Sequence, residues 1–447
     1  PSGSLPVFWS PLFAQAPPEW YVNSGGLGFV APPDNADWPE YDDYVRYQLD
    51  TSPAYDPGYM NWHPNLLATI ARTDFYGIFD YGDWPIDYEG FGVAPLNIKY
   101  DYDYGLWLQW ARSGDRRWFD LAEAADRHTA DIDILHTRHE PRHWSDGIAF
   151  GHSYHDEPGF TNPHRNEGGT HPDVAFGLPG MLLTYYFTGY EKAYQSALEL
   201  ADCIEYRLHN DWALCDFFPS GECNGQGYAL DAAGLYGAGS RPAANNLSMA
   251  VAAYRATGDP RYLAVADAVA NWARPTDQPY INGPTGEDEA MRPWMLNMYL
   301  CALASYLEMR GEFGLPDTYD AGAAYLAYAD WLRTYAVIDL EPLDLGPGAA
   351  YPYEWWFDGR QGDPYDEWAI GNNVPSINNW LLLGADAMAY AYHLSGDIDY
   401  LELAARLFRT GSHDPFYRDD ANTYSTTKET INGITFGHMF LREWAGR

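Results

Sequence analysis

Positive charge is scarce in this chain: 26 Lys and Arg stand against 63 Asp and Glu in 447 residues, a formal charge of −37. Repulsion opposes the approach of such a surface to polyanions, which excludes nucleic acid and anionic membrane faces as partners. Cysteine is scarce too. Cys203, Cys215, Cys223 and Cys301 form no CxxC pair, which argues against a zinc knuckle. Cys215 and Cys223 flank the turn-like FFPSGE and are spaced to pair in an oxidising compartment, with four unpaired core thiols as the alternative. No run of 18 apolar residues occurs, so no membrane-spanning helix is expected. The opening PSGSLPVFWSPLF lacks a basic segment followed by an apolar one, so no signal peptide is visible and the chain reads as mature or trimmed.

Aromatics, by contrast, are plentiful, with 18 Trp and 37 Tyr. Such rings fill cores or stack on the flat faces of sugars. Histidine is concentrated rather than abundant: eight of 13 lie between His128 and His171. The stretch from Trp144 to Phe187 is a long polar loop rich in Gly, Pro and His that runs into an apolar helix. Imidazoles move protons near neutral pH, and a long loop of this composition reads as the floor of an active or binding site.

Residues 1–90 look irregular, with short strands and turns and no long amphipathic helix. From about residue 91 a repeat sets in. WARSGDRRWFDLAEAADRHTA, YYFTGYEKAYQSALELADCIE, YRATGDPRYLAVADAVANWA and YHLSGDIDYLELAARLFRTG each join an apolar helix to an Ala-rich amphipathic one through Ser/Thr-Gly. The glycines are Gly114, Gly189, Gly258 and Gly396, with spacings of 75, 69 and 138, so a degenerate copy is expected around Gly311. Gly at this place ends the first helix in a left-handed cap. With the final FGHMFLREWA, the hairpins predict an all-α chain, an (α/α)6 toroid over residues 91–447, with a superhelical solenoid as the alternative.

In a toroid the segments entering the inner helices open on one rim. They read PLNIKYDYDYG, GGTHPDVAFG, GSRPAANNLS, MRPWMLNM, NVPSINNWLL and INGITFGHM. Five carry Asn and the sixth carries His171; Arg241, Arg292, Trp294 and Trp380 join them. Helix capping accounts for part of the Asn pattern. The partial positive charge of a helix N-terminus also suits an anionic group.

NIKYDYDYGLWLQWARSGDRRWFDLAEAADRHTADIDILH, TYYFTGYEKAYQSALELAD and AVAAYRATGDPRYLAVADAV together resemble the C-terminal helical toroid of the exo-acting rhamnogalacturonan lyases and their bacterial relatives, over roughly residues 75–440. Asp-Tyr-Asp before the first inner helix and HTADIDILH carry most of the likeness. Members with large β domains ahead of the toroid differ from this chain, which has space only for a short remnant. The resemblance implies β-elimination at a uronate of a rhamnogalacturonan-like polysaccharide by an extracellular or periplasmic protein that requires no cofactor. That reaction needs a cation or amides to neutralise the carboxylate, a base for the α-proton and an acid for the leaving oxygen. Arg292, Arg241, Arg165, Asn245 and Asn378 are candidates for the first role, with Trp294 and Trp380 as substrate platforms. His171 and Tyr154 are the preferred base and acid, with His152, His155 and His164 as further candidates; each histidine alone also reads as a loop-ordering hydrogen-bond donor.

The same residues allow rival uses. His136-x-x-His139 and His152-x-x-His155 have zinc-ligand spacing without an HExxH motif. Asp101 and Asp103, with Asp131 and Asp133, are a possible calcium set or a solvated acidic face. An inverting glycoside hydrolase would draw two carboxylates from Asp156, Glu157, Glu167, Asp173, Glu289 and Glu354. A non-catalytic glycan-binding or self-associating surface protein is the reading outside enzymes.

Overall fold

A computed structural model describes residues 15–50, 66–73, 81–87, 93–96, 101–141, 147, 178–209, 241–271, 290–291, 293–343, 347–352, 355–356, 380–417 and 432–447. The fold is all-α. Its helices are α1 (Pro18–Ser24), α2 (Pro39–Asp50), α3 (Leu66–Thr73), α4 (Tyr102–Ser113), α5 (Arg116–His128), α6 (Leu178–Thr188), α7 (Glu191–His209), α8 (Arg241–Thr257), α9 (Pro260–Ala270), α10 (Pro293–Glu312), α11 (Ala321–Trp331), α12 (Leu381–Ser395), α13 (Ile398–Tyr417) and α14 (His438–Ala445). Among the described residues the strands make only three antiparallel pairs. These are β1 (Trp84–Asp87) with β2 (Val93–Leu96), β3 (Ala290–Met291) with β6 (Trp355–Trp356), and β4 (Ile338–Asp339) with β5 (Ala349–Ala350). Among those residues no helix is long and apolar enough to cross a membrane.

The Ser/Thr-Gly-Asp repeat becomes a repeated set of hydrogen bonds. Gly114, Gly189, Gly258 and Gly396 all adopt φ between 67° and 71°, and each N–H reaches back to the carbonyl four residues earlier at 2.7–2.8 Å. The preceding hydroxyl closes the last turn: Ser113, Thr188, Thr257 and Ser395 each donate to a carbonyl four residues back. Each hydroxyl also accepts an N–H from two residues ahead at 3.1 Å. Asp115 and Asp259 then cap α5 and α9 by accepting from the N–H of Arg117 and Arg261. The fifth turn differs from expectation. Gly311 lies inside α10, and the left-handed residue is Gly314, φ +63°, because α10 runs one turn further before it stops.

The two helices of each hairpin differ as binary patterning requires. α12 is buried continuously from Leu381 to Ala391, and α10 is buried at 14 positions from Pro293 to Arg310. α5 instead buries one stripe, including Trp118, Phe119, Ala122, Ala125 and Asp126. The apolar helices pack in succession, α4 on α6, α6 on α8, α8 on α10, α10 on α12, and α12 on α14. The C-terminal segment then returns to α4, where Gln109 donates to the Ile434 carbonyl at 2.7 Å.

The N-terminal region departs from the irregular structure expected of it. α2 buries Tyr41, Tyr44, Val45, Gln48 and Leu49, a stripe at helical spacing. Three of those five are Tyr or Gln, so the stripe does not stand out as apolar. α3 likewise covers the start of a segment expected to be strand, while β1 begins only at Trp84. Trp38, just before α2, packs edge-on against Phe408, Phe440 and Trp444, so this region shares the core of the C-terminal helices. A polar seam seals the junction. Arg112 pairs with Asp42 at 2.5 Å and donates to the Pro32 carbonyl. Burial, and then Arg112, pushes the His438 imidazole down to about 3, so it is neutral when its Nδ1 accepts the Ala31 N–H. Asp386 on α12 accepts the N–H groups of Gly437 and Phe440 at the start of α14; burial pushes its carboxyl up to about 7 against the pull of these donors.

Candidate functional site

The starts of α4 and α6 meet where Gly180 lies against Asp103, and those of α8, α10 and α12 meet at Arg241, Trp294 and Trp380. Two groups of polar side chains stand there.

The first group joins α8, α10 and α12. Arg241, the first residue of α8, sets its guanidinium 5.9 Å from the centre of the Trp294 ring on α10. Trp294 stacks on Trp380, the residue before α12, with centroids 5.4 Å apart and planes 27° from parallel. Both indoles are almost fully buried and Arg241 is half-buried. One turn inward lie the buried amides Asn245, Asn246 and Asn297. Asn246 Oδ1 and both polar atoms of Asn297 have no hydrogen-bond partner among the described residues, and neither has the hydroxyl of buried Tyr351. Buried polar atoms of this kind are costly unless something satisfies them, so this side of the rim is built for hydrogen bonding.

The second group joins α4, α5 and α6. Asp101, Asp103 and Asp126 are all buried. Burial first, then the neighbouring carboxyls, pushes Asp101 and Asp103 well above the usual carboxylate range. Burial raises Asp126 as well, while donors pull it back: Asp103, Thr184 and Trp107 all hydrogen-bond to it. Trp107 Nε1 is 2.8 Å from its Oδ2. Asp103 is thus held above the ordinary carboxylate range by burial and by the charge of its neighbours. Asp101 accepts the Gly180 N–H at the start of α6. Gly180 has to be glycine, since a Cβ there would lie 2.2 Å from Asp103 Oδ2. A carboxyl with a raised pKa in such surroundings is a candidate proton donor.

Of the residues picked from sequence, the structure thus brings Arg241, Trp294 and Trp380 together and buries Asn245 beside them. Asp101 and Asp103 are interior rather than a solvated acidic face. His152, Tyr154, His155, His164, Arg165, His171, Arg292 and Asn378 lie outside the described residues, as do Asp156, Glu157, Glu167, Asp173, Glu289, Glu354, Cys215 and Cys223. Cys203 is buried and Cys301 half-buried. His136 is engaged by Glu199 and the Ala130 carbonyl, a structural tie between the end of α5 and α7. Asp131 and Asp133 point to different places, since Asp131 accepts from the exposed Tyr190 hydroxyl and Asp133 is buried. Sequence reading missed Asp126. Its signal was present, a charged residue on the buried stripe of an amphipathic helix.

The fold and its two polar groups define an all-α chain of helical hairpins. No family model matches the sequence, and no curated protein matches it either. A solved structure described as the crystal structure of a sugar epimerase from a ruminal bacterium shares the fold, with a TM-score of 0.55 at 12% identity, over 88% of this chain and 98% of that one.

Proposed function

We propose that this chain is a carbohydrate-active (α/α)6 toroid that acts outside the cytoplasm as a polysaccharide lyase on uronate-bearing, rhamnogalacturonan-like glycans. The observation that carries the reading is the array of Arg241, Trp294 and Trp380, assembled from three successive helices. A guanidinium held at the edge of a buried indole pair matches the carboxylate of a uronate. The fold shared with a sugar epimerase supports the carbohydrate part. In this reading Arg241, Arg292 and the rim amides neutralise the uronate, and His171 and Tyr154 move the protons. Asp103 favours a second reading, inverting hydrolysis, because a protonated carboxyl is the acid that reaction needs.

Incubation with a panel of acidic polysaccharides separates these readings. A lyase yields products with new ultraviolet absorbance at the unsaturated ring. A hydrolase yields products heavier by water and without that absorbance. Binding without turnover leaves a glycan-binding protein. No binding and no product on any uronate-bearing glycan overturns the proposal.

A further inference from the structure

HTADIDILH builds a second feature that the carbohydrate reading does not use. α5 ends at His128, and the next five residues, Thr129–Asp133, form a π-turn. In an α-helix a residue five positions on points away from the first, whereas i→i+5 winding brings it back toward the same side. The π-turn thus returns Asp133 to His128. Asp83 arrives from the turn before β1. It is delivered by Gly82, φ +95°, where a Cβ would lie 2.2 Å from the Ala124 carbonyl oxygen, so glycine alone lets the chain come this close to α5.

The result is one imidazole between two carboxylates, with Asp83, His128 and Asp133 exposed by 2%, 3% and 0%. His128 Nε2 is 3.5 Å from Asp83 Oδ1 and 3.4 Å from Asp133 Oδ1. All three donor atoms lie within 4.8 Å of one another. Both His separations exceed the roughly 2.9–3.0 Å of an N–H···O bond. They equal the spacing of two donors on one small cation: ligands about 2.0–2.2 Å from a tetrahedral ion stand about 3.3–3.6 Å apart.

We propose that Asp83, His128 and Asp133 hold a divalent transition-metal ion, with zinc the best fit. One nitrogen and two oxygens at this spacing suit a borderline ion; calcium takes six to eight oxygens, and magnesium retains several waters. Burial makes the role structural. The ion is taken up as the chain folds and pins the turn before β1 to the end of α5. This inference does not rest on the glycan reading, and its test uses no sugar.

The test is elemental analysis of the purified chain after expression in zinc-supplemented medium, with no chelator during purification. One zinc per chain is expected, and Asp133→Asn and His128→Gln each lose it. Growth in cobalt medium should give the strong visible bands of tetrahedral cobalt, and X-ray absorption at the zinc edge should show one imidazole with oxygen ligands. Wild-type protein without a stoichiometric metal overturns the proposal, as does full zinc content in the Asp133→Asn chain. If the variants do not fold, the absorption spectrum of the wild type decides: a shell with sulfur or with two or more imidazoles sinks it.

Discussion

The two ends of the apolar helices obey different rules. At their C-terminal ends the same atoms do the same work in each copy: hydroxyl to carbonyl, left-handed glycine, and in three of four copies an Asp at the start of the next helix. At their N-terminal ends the copies differ. α4 starts with two buried carboxyls, α8 with Arg241, α10 with Trp294, and α12 follows Trp380. Repetition marks what the chain needs in order to turn back on itself. Divergence at a place that the turns hold in common marks what it uses individually. Substitutions at the first end should therefore move stability alone, and substitutions at the second should move glycan binding or turnover.

The largest effect belongs to the turn end of α4. Arg112→Ala leaves Asp42 charged and buried without its partner, and such a loss costs about 3–5 kcal/mol. A large fall in Tm is expected with unchanged affinity for any glycan in the protein that remains folded. A selective loss of affinity would break the division between the ends.

Asp103→Asn should act in the opposite sense. The amide still donates to Asp126 but cannot ionise. Asp101, Asp103 and Asp386 have folded pKa values above their unfolded ones, so the folded chain holds more protons than the unfolded chain over that interval. Their contribution is complete below the unfolded value near 4 and is lost as pH rises through the folded one, which for Asp386 is about 7. Stability from these groups therefore falls from pH 4 to pH 8. Asp103→Asn should flatten that slope and stabilise the chain at pH 8, with no gain at pH 4. A variant that is more stable yet inactive would mark Asp103 as a proton donor in turnover; equal activity would leave it structural.

Arg241→Lys keeps the charge but loses the planar group over Trp294. Affinity for uronate oligosaccharides should drop about tenfold, roughly 1.4 kcal/mol, while Tm stays within a degree. Titration calorimetry with charged and neutral sugars checks it: equal loss for both would mean that Arg241 only shapes the pocket.

How much of this was legible follows from the same contrast. The turns were readable because Gly and Asp do local work that their neighbours in sequence determine, and Gly114, Gly189, Gly258 and Gly396 all adopt the left-handed conformation expected of them. Arg241, Trp294 and Trp380 were readable as a set because a repeat assigns them equivalent positions. α2 was not, because its buried stripe is largely Tyr and Gln. Nor was the meeting of Asp83, His128 and Asp133, which depends on a π-turn and on the close approach at Gly82. Those are contacts between segments, and no period in the sequence announces them.

The smallest effects test the division most finely, because they compare one residue type in two settings. Gly258 and Gly311 look alike in sequence, each following a stretch of apolar helix. Gly258 has φ +67°, and Gly311 is an ordinary helical residue; a Cβ at either would meet nothing within 4 Å. Space is therefore equal, and only the backbone differs. Gly258→Ala forces an L-residue into the left-handed region and should cost about 1–2 kcal/mol. Gly311→Ala instead removes unfolded-state freedom inside a helix and should gain about 0.4–1 kcal/mol. Denaturant melts of the two variants should shift in opposite directions. A loss at both positions would mean that α10 ends at Gly311 after all, and that the fifth turn is built like the other four.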